Sequence, residues 1–119
     1  MKLILSQEQV HFQRDNTVTR LGHIASNLAR VRTFCGTSYE KGVLGVIAET
    51  KAFIEWTAAE VEPEQAEELV NIQVQLALWE LSWDNIWPIE KLRAEIAEQS
   101  GVWSQRVLDM SGLLEESIA

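Results

Sequence analysis

Two histidines and a single cysteine carry most of the nucleophilic and metal-ligating capacity of this 119-residue chain. Arg20, His23, Asn27 and Arg30 follow one another at intervals of three, four and three residues, the spacing of a single helix face. An exposed imidazole flanked by guanidinium groups can accept a phosphoryl group, because the cations offset the incoming negative charge. The four residues lie off the apolar stripe of Leu21, Ile24 and Leu28, so the spacing predicts that they face water. An ordinary polar helix face has the same pattern. Glu8 and His11 stand in the Glu-x-x-His spacing that brings a carboxylate and an imidazole together in carboxylate-bridged bundles. Only one such pair is present, and His23 has Arg20 rather than an acid three positions earlier, so no metal and no cofactor are expected. Cys35 adjoins Phe34 on the apolar stripe and reads as a small buried hydrophobe. No phosphate-cradling glycine loop or Ser/His/Asp motif occurs, and catalysis is not expected.

The stretch from Arg20 to Arg30 distantly resembles histidine-phosphotransfer domains, acidic helical bundles of this size whose phosphoacceptor stands exposed on a helix. The resemblance implies His23 as the phosphoacceptor. That family has Lys three and Gly four positions after its histidine, whereas this chain has Ser26 and Asn27. Glu64, Glu67 and Glu68, with Glu80 and Asp84, are loosely similar to the acidic patterns of all-helical nucleotide pyrophosphohydrolases, where carboxylates on facing helices hold magnesium. Here all five fall on one segment, at its two ends, and Glu67 and Glu68 are accounted for as acids near a helix start.

Five tryptophans is a high number for this length, and Trp79, Trp83 and Trp87 recur every four positions. Aromatic side chains are enriched at interface hot spots. Trp83 and Trp87, together with Glu64, Glu67 and Glu68 as an acidic contribution to selectivity, are therefore the candidate interaction surface. Plain core packing is the competing account of the tryptophans.

Four periodic segments must position these side chains. Gly36 follows one helical run, and Thr37 to Glu40 has the form of a capping box. Pro63 opens a second start with Glu64, Glu67 and Glu68 behind it, and Trp87-Pro88 opens a third. The resulting spans are 7 to 35, 38 to 61, 63 to 86 and 88 to 117. Leu69, Ile72, Leu76, Trp79, Trp83 and Ile86 keep the helical step without a miss, and Val70, Val74, Ala77 and Leu81 widen that face, so the third span is expected to be the most buried. Asp15-Asn16-Thr17 could restart the first helix, but Ser6 to Gln9 forms an earlier cap, which favours one long kinked helix. Gly22, Gly101 and Gly112 read as helix-interior glycines, and Ser100-Gly101 as a potential break. Short connections between long helices favour a single all-α domain over 1–119, an antiparallel up-down four-helix bundle.

Ten basic against eighteen acidic residues give a formal charge of −8. Phosphate-backbone binding rests on clustered Lys and Arg, so nucleic acid is excluded as the main partner. The lone cysteine fits a reducing compartment, no stretch has the roughly 20 apolar residues of a membrane span, and a cytoplasmic location is expected. Charge is uneven: residues 1–36 carry +3 and the remainder −11. In an up-down bundle Glu60, Glu62, Glu64, Glu67, Glu68, Glu115 and Glu116 gather at one pole, with Arg30, Arg32, Lys41, Lys91 and Arg93 at the other. The reading that follows is a non-enzymatic protein-interaction or regulatory module, its partner another protein or a second copy. A phosphotransfer module using His23, and an acidic inhibitor or immunity-type partner of a basic protein, are the alternatives.

Overall fold

A computed structural model describes residues 6–112. Glu115 and Glu116 of the expected acidic pole, and the end of the expected span 88 to 117, lie outside the described residues. The described chain is all-helical, with no strand. It runs through α1 (Gln7–Gln13), α2 (Thr17–Cys35), α3 (Glu40–Glu55), a 3-10 turn (Ala58–Glu60), α4 (Pro63–Leu81), α5 (Trp83–Ile86) and α6 (Glu90–Ser111).

Caps set most of these boundaries. Ser6 Oγ accepts from the Gln9 amide at 3.0 Å, as its sequence position predicts. Asn16 Oδ1 accepts from the Thr19 amide at 2.8 Å. That second cap starts a new helix, so the expected span 7 to 35 is two helices rather than one. The box expected at Thr37 and Glu40 is not formed. Thr37 Oγ1 donates to the Phe34 carbonyl and accepts from the Tyr39 amide, so it shapes the turn and α3 begins at Glu40 without a side-chain cap. Pro63 opens α4 as expected, and the Gln65 side chain accepts from the Glu62 amide at 3.4 Å. The expected span 63 to 86 is interrupted at Ser82, and 38 to 61 ends in the 3-10 turn. Gly112 is not a helix-interior residue: its φ of 74° makes it the left-handed stop of α6.

One continuous apolar core is drawn from α2, α3, α4, Trp83 and α6. Its densest contributor is α2, with Leu21, Ile24, Ala25, Leu28, Val31 and Cys35 all buried. This corrects the expectation that the third span is most buried. The helix α2 packs against both α3 and α6, whereas α4 packs mainly against α3 and meets α6 only along a thin seam. A helix with neighbours on two sides hides a wide arc of its surface, and a flanking helix hides one stripe. Ser100-Gly101 does not break α6. Gly101 and Ser104 instead form part of its surface against α2: Ser104 Oγ donates to the Ala25 carbonyl at 2.7 Å, and a Cβ on Gly101 would stand 3.0 Å from the Arg32 side chain. Small residues let the two helices approach closely. No described helix is long and apolar enough to cross a membrane.

Candidate functional site

The face predicted for His23 is only partly formed. His23 is exposed on α2, with Nε2 3.0 Å from Asp15 Oδ2 in the turn that precedes the helix, and Phe12 packs near its ring. Arg30 is exposed as well. Arg20 and Asn27, expected to face water beside them, are buried, with Arg20 only 4% exposed. Asn27 Nδ2 donates to Glu49 Oε1 at 3.0 Å, and Arg20 turns toward the end of α3, where it donates to the Trp56 carbonyl at 3.1 Å and pairs with Glu60. The cause is the central position of α2, whose two neighbours bury residues that a one-sided helix would leave wet. A carboxylate on Nε2 leaves Nδ1 as the ring nitrogen open to chemistry, with Arg30 as the remaining cation of the four-residue set. Glu8, His11, Asp15, His23, Arg30 and Glu49 line a shallow depression of about 260 Å³. Among the described residues no group of three or more His, Cys, Asp or Glu side chains is placed to hold a metal ion.

The tryptophans divide between two places. Trp83 is 4% exposed, so its ring belongs to the core rather than the free surface, and its Nε1 donates to Glu40 Oε1 at 2.9 Å. Trp87 is half-buried, stacked on Trp83 at 5.5 Å between ring centres. The Arg93 guanidinium lies over the Trp87 ring at 5.3 Å and also donates to the Trp87 carbonyl. These groups form one wall of a cleft of about 1100 Å³ that also includes Arg32, Cys35, Thr37 and Gly101. Burial raises the Cys35 thiol from 9.0 to about 11, with Arg93 offsetting part of that shift. Elsewhere, Trp79 and Trp103 stack at 5.1 Å and bridge the seam between α4 and α6.

Glu64 and Glu67 are exposed on the first turns of α4, while Glu68 is half-buried and paired with Arg106 of α6. The same helix also carries an apolar face that is not part of the core. Val70, Val74, Leu78 and Leu81 are exposed by 42, 51, 48 and 85%, on a face turned away from Leu69, Ile72 and Leu76, which are buried. Val70, Val74 and Leu81 were expected to widen the core face. At 100° per residue they fall roughly a quarter turn or more from the Leu69 to Trp79 stripe, and among the described residues no helix packs on that side of α4 to cover them. The signal was present in the sequence, since residues 69–79 contain no charged side chain on any face. Such a helix either lies deep in a core or has apolar surface to spare. No family model matches the chain, and no curated protein or solved structure is detectably similar to it.

Proposed function

We propose that this protein is an interaction module that binds another protein chain through the outer face of α4. The observation that carries this reading is the stripe of Val70, Val74, Leu78 and Leu81, which spans three turns of a well-formed helix and has no helix packed over it among the described residues. Single exposed apolar residues are common on soluble proteins, but a contiguous row of four marks a contact surface. Exposed Asn71 and Gln75 border the middle of the row with neutral amides, so covering that part desolvates no charge. Glu64 and Glu67, at one end of the row, supply selectivity by repelling acidic surfaces.

We further propose that α2, α3, α4 and α6 form an up-down bundle around the shared core. Cross-helix bonds support it. Asn27 meets Glu49, Gln73 Nε2 reaches the Lys51 carbonyl, Gln65 Nε2 reaches the Met110 carbonyl and Ser104 reaches Ala25, each joining two helices that are adjacent in such a bundle.

The test is to place a photo-crosslinking amino acid at Val74 or Leu78 in the protein made in its own cells, with Glu98 on α6 as the control position. Protein adducts at the two α4 positions and none at the control are expected. Absence of any protein adduct at Val74 and Leu78 overturns the reading.

A further inference from the structure

The geometry points to a second copy of this chain, docked with its α4 antiparallel, as the occupant of the exposed α4 face. This rests on the interaction reading above and names its partner. Two features of the helix carry it.

The row is nearly symmetric about its own middle. Val70 and Leu81 stand at its ends, and Val74 and Leu78 lie either side of the centre. An antiparallel copy related by a two-fold axis between Val74 and Leu78 matches Val70 to the partner's Leu81 and Val74 to the partner's Leu78. Each smaller β-branched side chain then meets a larger leucine, as interdigitated packing requires. No residue of the row is left over.

Charge selects the orientation. A parallel pair would set Glu64 and Glu67 of one copy beside Glu64 and Glu67 of the other, four exposed carboxylates next to Glu60 and Glu62 in a chain whose net charge is already −8. The antiparallel pair puts those acids at opposite ends. Each acidic end then faces the end of the partner that carries α5 and the first turns of α3 and α6, where Lys41, Lys91 and Arg93 balance Glu40, Asp84 and Glu90. Between the ends, residues 69–79 bring no charge into the contact from either copy. Like charges side by side disfavour the parallel pair, and the uncharged centre leaves apolar burial unopposed in the antiparallel one.

The experiment is light scattering of the purified full-length chain over a concentration series, followed by oxidation of cysteine variants. The expected mass is twice the chain's 13.5 kDa. Leu81→Lys should return it to a single-chain mass with an unchanged helical circular-dichroism signal, and Val74→Asp should do the same. Leu81 is 85% exposed, so its replacement leaves folding intact even if Val74→Asp does not. A mixture of V70C and L81C should form the mixed disulfide, whereas V70C alone should not crosslink. In the antiparallel pair two copies of position 70 lie about 16 Å apart along the helices, far beyond disulfide reach. Cys35 is buried and stays out of the reaction.

A dimer that crosslinks through V70C alone overturns the antiparallel arrangement. A single-chain mass at every concentration overturns the second copy as occupant. In that case adducts to a different protein from Val74 in cells would leave the interaction reading standing, and their absence would remove both.

Discussion

Arg20 shows how position overrides pattern at the scale of a single residue. Its type and spacing placed it with His23 on a wet face, yet the structure turns its guanidinium inward to the Trp56 carbonyl and Glu60. The side chain thereby ties α2 to the turn after α3. Arg20→Met is expected to lower stability by about 1–3 kcal/mol in a urea titration, because a buried charge-assisted bond is lost while Glu60 can return to water. Glu60→Gln should cost less than about 1 kcal/mol, since the Glu60 side chain is 51% exposed. Cys35 behaved as its neighbours implied: the apolar stripe marked it as buried, and burial raises its thiol to about 11. A thiol harder to ionise in the folded chain than at its usual 9.0 leaves stability unaffected below that pH. Between pH 9.0 and about 11 the unfolded chain loses the proton first, so this group's contribution falls as pH rises through that window. Cys35→Ala should flatten that part of the stability profile, measured by urea titration at pH 8, 9 and 10. The exposed His23 was legible from spacing alone, whereas the burial of Arg20 and Asn27 was not, because it depends on helices far away in sequence.

The elements themselves were largely legible where a side chain caps a helix and less so where tertiary contacts bend the chain. Pro63 and Ser6 mark true starts because their effect is local. The corner between α1 and α2 is not decided by local sequence, since nothing nearby tells that Phe12 stacks on Phe53 of α3 at 4.1 Å and packs against Trp56. That aromatic cluster holds the short α1 down. A seven-residue helix has little stability alone, so Phe12→Ala is expected to release α1 and to cost about 3 kcal/mol. The measurement is limited trypsin digestion: cleavage after Arg14 should become fast while the rest of the chain stays resistant. Gly112, a liability if it stood inside a helix, is instead the left-handed residue that ends α6. Gly112→Ala should therefore destabilise by about 1 kcal/mol. Gly45 lies within α3, with open space where a Cβ would go, and Gly45→Ala should gain about 0.5–1 kcal/mol in the same denaturant assay. Opposite signs for one substitution type at two glycines check both assignments, because composition alone would give them the same sign.

At the scale of the whole molecule, the expectation most revised is where surface apolarity resides. Periodicity found the helices and the core stripes, but it assigned both stripes of α4 to a single interior, because a sequence does not state how many neighbours a helix has. The thin α4–α6 seam, bridged by the stacked rings of Trp79 and Trp103, leaves α4 flanking the rest, and its second stripe faces outward. Two kinds of association follow from such a surface, and ionic strength separates them. A basic partner drawn to Glu60, Glu62, Glu64 and Glu67 would be held by exposed charges, and such attraction fades as the screening length falls from about 10 Å at 0.1 M salt to about 3 Å at 1 M. An α4 pair buries apolar surface between two chains that each carry −8, so salt weakens their mutual repulsion and leaves the burial untouched. The dimer fraction from sedimentation equilibrium is therefore expected to hold or rise between about 0.1 and 1 M sodium chloride, with a stronger rise in sodium sulfate, which favours burial. Loss of dimer with added salt would place the contact on the charged poles instead of the α4 stripe. Glu67→Gln, which removes one carboxylate from each end of the antiparallel pair, should tighten the dimer slightly at low salt and have no effect at 1 M.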